Sequence, residues 1–334
     1  MSTVPASKDT ARHHDSLHPL LKVRSRVAEV VVGQEEVVDR ILIALLTGGH
    51  LLLQGVPGLA KTLLVNCVAR AIDLNFGRVQ FTIDLLPSDI IGTEVLDQST
   101  GTFRVNKGPI FTHLLLADEI NRAAPKVQSA LLEAMQERQV TIGRQTFPLS
   151  APFLVIATKN PVEQSGTFEL PEAQLDRFML CHRLDYPSTT EETEVVNRHL
   201  HMGLSRQGRA AIPNTAFDLI EREPVVTVDD LTNAMTAVQE VYVSEVFVDH
   251  CVELVRRTRV CPHVELGASP RAGISLVQAS RARAFIHGRD HALPEDLFAL
   301  ASDVLLHRMR LTYQALADGR KAPDVLKEIM DSMG

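Results

Sequence analysis

The sequence predicts an α/β protein: a parallel-stranded core built round a phosphate-binding loop, followed by a helical second part. Three observations predict it. The octapeptide GVPGLAKT, Gly55 to Thr62, stands between a short apolar run and a helical pattern. The run Leu114 to Ala117 has the continuous apolar character of a buried central strand and ends in adjacent carboxylates, Asp118 and Glu119. After Tyr186-Pro187 strand patterns give way to helical ones, which marks a domain boundary.

Leu51, Leu52 and Leu53 lead into the octapeptide, and Leu64, Cys67, Val68, Ala71 and Ile72 follow on one helical face. Strand, glycine-rich turn and helix, in that order, are what a phosphate loop requires. The turn made by Gly55, Val56, Pro57, Gly58, Leu59 and Ala60 presents backbone N–H groups, and the positive end of the next helix completes an anion cradle. Lys61 is spaced to reach the β- and γ-phosphates, and Thr62 to offer its hydroxyl to Mg²⁺. Ala60 stands where glycine is usual before the lysine. Alanine suits that position at negative φ, with the left-handed option removed. The plainer alternative is a strand–helix turn with an incidental lysine.

A chain of 334 residues is long enough for two domains and a large core. With 45% apolar and 22% charged residues it has the composition of a soluble globular protein. The net charge of −7 gives no support to a surface that coats nucleic acid. Cys67, Cys181, Cys251 and Cys261 lie far apart or within apolar runs, as in a reduced, cytoplasmic protein. His250 and His263 lie near Cys251 and Cys261, but no C-x-x-C spacing supports a metal site there. The N-terminus lacks an apolar signal core and no apolar run approaches spanning length, so the expectation is a soluble protein without a membrane span.

In chain order, residues 1–18 are polar, with Pro5, His13, His14 and His18, and read as a tail. Val31 to Gln34 precede a helix with Val38, Ile41, Leu42, Leu45 and Leu46 on one face, stopped by Gly48-Gly49. That helix either flanks a nucleotide base or simply packs. Val79, Phe81 and Ile83 alternate as a strand, and Asp84–Pro109 reads as an inserted hairpin. Asp118 and Glu119 fall at the C-terminal end of their strand, where open α/β sheets place ligands. Their adjacency suits a division of labour, Asp118 holding Mg²⁺ with Thr62 and Glu119 polarising the attacking water. Acid pairs also cap helices, and Pro125 marks a helix start nearby. Arg138–Leu149 reads as a second hairpin with Gly143-Arg144 at its tip. Phe153 to Thr158 is an apolar strand ending at Lys159-Asn160-Pro161, where Asn160 either orients the lytic water or begins a turn. The run Leu170 to Phe178 contains Arg177 beside Asp176, with which it could form no more than a surface ion pair. In GASPRA, Ser269 is an N-cap, Pro270 takes the first helical position, and Arg271 projects from the first turn. A cation there opposes the helix dipole, and a phosphate would favour it.

Together these motifs resemble an AAA+ ATPase. GVPGLAKT, LPSDIIGT, LLLADEINRA, LPEAQLDRF and GASPRA, with the two inserted hairpins, are similar specifically to the MoxR family, over roughly Val31 to Leu311. That family usually has alanine at the position of Ala60, and more often glutamine at that of Lys159. The resemblance implies a five-stranded parallel core over residues 19–187 and an all-helical lid over 188–334. It implies Mg²⁺-dependent ATP hydrolysis at the subunit boundaries of a ring, a hexamer. Asn160 is then the first sensor, Arg177 the arginine finger acting on the next subunit's nucleotide, and Arg271 the second sensor on the lid. The hairpins would face the ring's centre or one rim. The implied work is chaperone-like remodelling or metal-centre maturation of a partner complex, with a von Willebrand factor A domain protein as a partner. Two rivals are a motor acting on nucleic acid or as a metal-chelatase subunit, and a scaffold that binds ATP without turnover. Arg104, Lys107, Arg138 and Arg144 put local positive charge on the hairpins, but the acidic balance disfavours a DNA motor. Glu119, Asn160 and Arg177 form a catalytic set that a scaffold does not need.

Overall fold

Continuous apolar runs become the three central strands of one parallel sheet, buried on both faces, while the two edge strands are more polar and partly exposed. The computed structural model describes residues 9–56, 58–99, 101–161, 166–207, 210–220 and 223–333. Helices α1 (Asp9–Ala28) and α2 (Glu35–Thr47) precede β1 (Leu51–Gln54), α3 (Lys61–Ala71) and β2 (Phe76–Gln80). Next come α4 (Pro87–Ile91), the hairpin β3 (Gly92–Asp97) with β4 (Thr102–Lys107), β5 (Leu114–Asp118) and α5 (Pro125–Glu137). The hairpin β6 (Gln139–Ile142) with β7 (Gln145–Pro148), then β8 (Leu154–Lys159), α6 (Glu172–Leu175) and β9 (Leu180–Arg183) complete the core. The five core strands run parallel in the order β2-β5-β8-β1-β9.

Alternation along these strands divides the interior in two. Leu51, Leu53, Leu114, Leu116, Leu154 and Ile156 join an apolar cluster that also takes in α1, α2, α3 and the lid helices. Leu52, Leu115, Ala117, Val155 and Ala157 face a second cluster containing α5 and the hairpins. The strand expected around Val79, Phe81 and Ile83 lies further back, because its partner β5 ends at Asp118, opposite Gln80. Phe81 gives its N–H to the Asp118 carbonyl at 2.8 Å, and Ile83, beyond the ladder, is 65% exposed.

The lid comprises α7 (Thr189–Leu200), the hairpin β10 (Leu204–Gln207) with β11 (Ala210–Pro213), α8 (Val228–Glu240) and α9 (Glu245–Val260). It continues through β12 (Val264–Leu266), α10 (Pro270–Ile286), α11 (Pro294–Leu305), β13 (Arg310–Leu311), α12 (Tyr313–Ala317) and α13 (Ala322–Asp331). The lid is therefore helical except for two small antiparallel ladders, corrections to the expectation that strands end at Tyr186-Pro187. Strands of two to four residues are too short to carry a legible alternation.

The tail expected over residues 1–18 is helical from Asp9, while residues 1–8 lie outside the described residues. Pro19 removes one intrahelical hydrogen bond, which makes a boundary there the local expectation. Leu20, Val23 and Val27, at helical spacing, anchor α1 against α8 and α3. A buried polar tie also joins core to lid. Arg40 of α2 donates to Asp303 of α11, whose other oxygen lies 3.0 Å from Nδ1 of His182 on β9. No helix among the described residues is long and apolar enough to cross a membrane.

Candidate active site

The phosphate loop leaves the sheet at Gln54. Gly55 donates its N–H to the Lys159 carbonyl at 3.2 Å, which fixes the loop's entry to β8. A side chain at Gly55 would bring a Cβ within 2.8 Å of Leu184 Cβ, so the close approach to the residue that follows β9 requires glycine. Pro57 lies outside the described residues. Ala60 adopts φ 51°, ψ 25°, a left-handed conformation, contrary to the expected negative φ. This costs an alanine about 1–2 kcal/mol, and the helix start holds it: the Ala60 carbonyl accepts the first α3 bond, from Leu64 N–H at 2.9 Å. Lys61 opens α3 and donates from Nζ to the Gly55 carbonyl at 2.7 Å. Burial lowers the Lys61 pKa, against the pull of the Asp118 and Glu119 carboxylates. The first turn of α3 holds no acidic residue, so nothing on the helix itself competes for its positive end.

The end of β5 is organised by Thr158 of β8. Its hydroxyl accepts the Glu119 N–H at 2.8 Å and donates to Asp118 Oδ1 at 2.7 Å. Arg78 pairs with Asp118 Oδ2 at 2.7 Å. Gln80 Nε2 and Arg122 Nε each approach Glu119 Oε2 at 3.0 Å. Glu119 itself is left-handed, φ 56° and ψ 51°, the kind of backbone strain that collects at functional sites. Asn160, 5% exposed, follows β8, which lies between β5 and β1 in the sheet. Strand order thus sets it between the carboxylates and the loop. Ala60, Lys61, Thr62, Asp118, Glu119 and Asn160 line one cleft of about 400 Å³.

A second cavity of about 490 Å³ adjoins this cleft and shares Gly58, Leu59, Ala60 and Leu63 with it. Val31, Gln34, Tyr186, Pro187, Val196 and His199 are among its walls. Among the described residues α2, the helix expected either to flank a base or to pack, contributes no wall here; Val31 and Gln34 just before it do, and the contribution of α7 was not foreseen in the sequence. The available signal was Val195 and Val196, which remain 47% and 58% exposed, adjacent apolar residues on a helix that is polar apart from them and Leu200.

Arg177 and Arg271 are brought together with each other, and neither lines the cleft that holds Lys61. They share a cavity of about 320 Å³ with Arg138, Asp176 and Arg308. The alternative of an Arg177–Asp176 pair does not occur. Asp176 instead accepts from Arg308 Nε at 2.7 Å and from the Ser269 hydroxyl at 2.9 Å. Arg308 is buried and also donates to the Phe178 carbonyl at 2.7 Å. Ser269 caps α10 by accepting the Arg271 N–H at 3.2 Å, so one carboxylate ties the Arg177 turn to the Arg271 helix. Among the described residues neither the Arg177 nor the Arg271 guanidinium has a hydrogen-bond or ion-pair partner.

Residues 50–180 match the ATPase family associated with various cellular activities (AAA), and residues 256–329 match the AAA lid domain. The chain is 43% identical over 317 residues to Chaperone MoxR1 of Mycobacterium tuberculosis, covering 95% of this chain and 82% of that one. Protein MoxR of Methylorubrum extorquens is 30% identical, with 92% of each chain covered. A crystal structure of a Cytophaga hutchinsonii protein assigned as an ATPase has a TM-score of 0.86 at 43% identity, covering 96% of each chain. Fold, paired domains and relatives agree, and the chain belongs to the MoxR family of AAA+ ATPases.

Proposed function

We propose that the protein binds ATP in the 400 Å³ cleft and hydrolyses it with catalytic arginines supplied by a neighbouring copy in a ring, a hexamer by family resemblance. The observation that carries this reading is the separation of the charged set. Lys61, Thr62, Asp118, Glu119 and Asn160 line one cleft, while Arg177 and Arg271 line another cavity. Among the described residues a single copy therefore offers a phosphate cradle and water-activating groups whose neighbouring guanidiniums, Arg78 and Arg122, are already paired with Asp118 and Glu119. The adjoining cavity, with apolar walls from Val31, Pro187 and Val196, suits the adenine base.

A hydroxyl and a carboxylate on one cleft are hard oxygen donors of the kind Mg²⁺ takes, with several waters retained. Mg²⁺ held by Thr62 and Asp118 would offset charge on the β- and γ-phosphates. Lys61 exchanges its Gly55 carbonyl for phosphate oxygen, and its ammonium stays charged beside the two acids. Glu119 accepts a hydrogen bond from the lytic water and polarises it, while Asn160 orients that water and contacts the γ-phosphate. Arg177 of one copy stabilises charge developing on the nucleotide of the next, and Arg271 reads the same phosphates. Such a ring would act in the cytoplasm as a chaperone that remodels a partner complex or matures its metal centre, with a von Willebrand factor A domain protein as a partner. MoxR1, a relative named as a chaperone, supports the first part of that reading.

Titration with a fluorescent ATP analogue tests the division of roles. Lys61→Ala is expected to weaken binding by roughly 10- to 100-fold, the worth of a charged hydrogen bond. Glu119→Gln is expected to bind ATP normally and stall before cleavage. Equal affinities for the two variants would contradict the assignment.

A further inference from the structure

We infer that Arg138 is a third arginine of the cavity that holds Arg177 and Arg271, and that it contacts phosphate oxygens of a nucleotide bound by a neighbouring copy. The inference rests on the proposal that this cavity meets the neighbour's nucleotide.

Charge is the first support. Four arginines and one aspartate line the cavity, and the aspartate is already neutralised by Arg308. Arg138, Arg177 and Arg271 remain, and among the described residues none of the three pairs with an acid. The one hydrogen bond of the Arg138 guanidinium goes from Nη2 to the Gly48 carbonyl at 3.2 Å, a neutral acceptor at an exposed site. An anion with several oxygens, such as a polyphosphate, would satisfy all three forks.

Backbone strain is the second support, and it is independent of the charge. Arg138 ends α5 with φ 52°, ψ 26°, a left-handed C-cap that glycine fills without cost. Its N–H closes the helix on the Ala134 carbonyl at 2.9 Å, a bond any residue supplies. Nothing in the backbone asks for arginine, so the reason for it lies in the side chain.

The position also gives the contact a consequence. The Arg138 carbonyl accepts the Leu149 N–H at 3.0 Å, which closes the base of the β6–β7 hairpin. A phosphate that draws on the Arg138 side chain therefore acts on the root of that hairpin.

Arg138→Gly and Arg138→Asn both tolerate the left-handed backbone and remove the charge. Each should keep the thermal midpoint at or above that of the wild type and bind an ATP analogue normally. Turnover should fall about 10²-fold or more, the usual loss for a charge-stabilising donor. Mixing either variant with Lys61→Ala should raise turnover above the sum of the separate proteins, since the Lys61→Ala copy supplies an intact Arg138. Arg177→Ala mixed with Lys61→Ala runs in parallel. Recovery in that control with wild-type turnover in Arg138→Gly would overturn the role of Arg138 alone. A lowered midpoint with lost turnover and no recovery on mixing would make Arg138 structural and overturn it too. No recovery in the Arg177→Ala control would overturn the shared-site reading beneath it.

Discussion

Beneath the arginine cavity His50 bridges two elements as a neutral imidazole. Its Nδ1 accepts the Val155 N–H at 3.1 Å, and its Nε2 donates to the Met135 carbonyl at 3.2 Å. Burial pushes its pKa down to about 4, against the pull of the Met135 carbonyl, and Arg138 lowers it further. In the unfolded chain the same ring titrates near 6.5. Between those values the unfolded state binds the extra proton, so the native state keeps its full stability above pH 6.5 and loses it as pH falls towards 4. The loss from His50 is roughly 3 kcal/mol. His307 adds in the same direction, held well below its ordinary value by burial and then by Arg308. Urea midpoints measured from pH 7 to pH 4 should decline, and His50→Gln, which can satisfy both partners without titrating, should flatten the decline. An unchanged slope in that variant would contradict the account. Strain sits beside the same cavities: of the four described non-glycine residues at positive φ, Ala60, Glu119 and Arg138 border them. Each of the three trades local backbone energy for the placement of a loop or a charge.

The two inserted hairpins behave as one element. Gly143 at the tip of β6–β7 lies against the Glu94 carboxylate of β3, so the two ribbons touch there, at a φ of +60° that glycine adopts without cost. At their roots Lys107 lies over the rings of Phe111 and Phe147, at 4.6 and 5.4 Å from the centroids. Among the described residues, none of β6 or β7 lines the cleft that holds Lys61 or its apolar neighbour. Replacing residues 141–146 with a two-residue turn, Arg138 retained, removes Ile142 from the second apolar cluster but no wall of either cleft, so affinity for an ATP analogue should stay within about 2-fold of wild type. A loss of affinity beyond 10-fold would mean that the ribbon supports the cleft. Elements of this kind were legible because their signals are local: Gly143-Arg144 between short alternating runs, or a glycine-rich turn between an apolar run and a helical face. The phosphate loop, the Asp118–Glu119 strand end and Asn160 share that property. Contacts between distant positions were not legible. Arg308 lies 132 residues from Asp176, and Arg40 lies 263 from Asp303. The conformation of Ala60 was also missed, because tertiary constraint overrode a local steric preference.

Core and lid share one apolar cluster, so the whole chain moves the lid only by breaking a continuous interior. Two polar ties cross the same boundary, Arg40–Asp303–His182 and Arg308–Asp176–Ser269. The second sits between Arg177 and Arg271 and holds both guanidiniums to one cavity. On the proposed function each copy is catalytically incomplete, with its arginines serving a neighbour. Steady-state phosphate release from mixtures of Arg177→Ala and Lys61→Ala tests it most directly. Each variant alone should be nearly inactive, with Arg177→Ala keeping normal nucleotide affinity and losing ~10³-fold or more in turnover. Mixed assemblies should recover activity, because an intact phosphate loop from one variant meets an intact arginine from the other. Light scattering establishes that mixed assemblies form. No recovery at any ratio, in assemblies shown to be mixed, would contradict the claim and leave Arg177 serving its own copy.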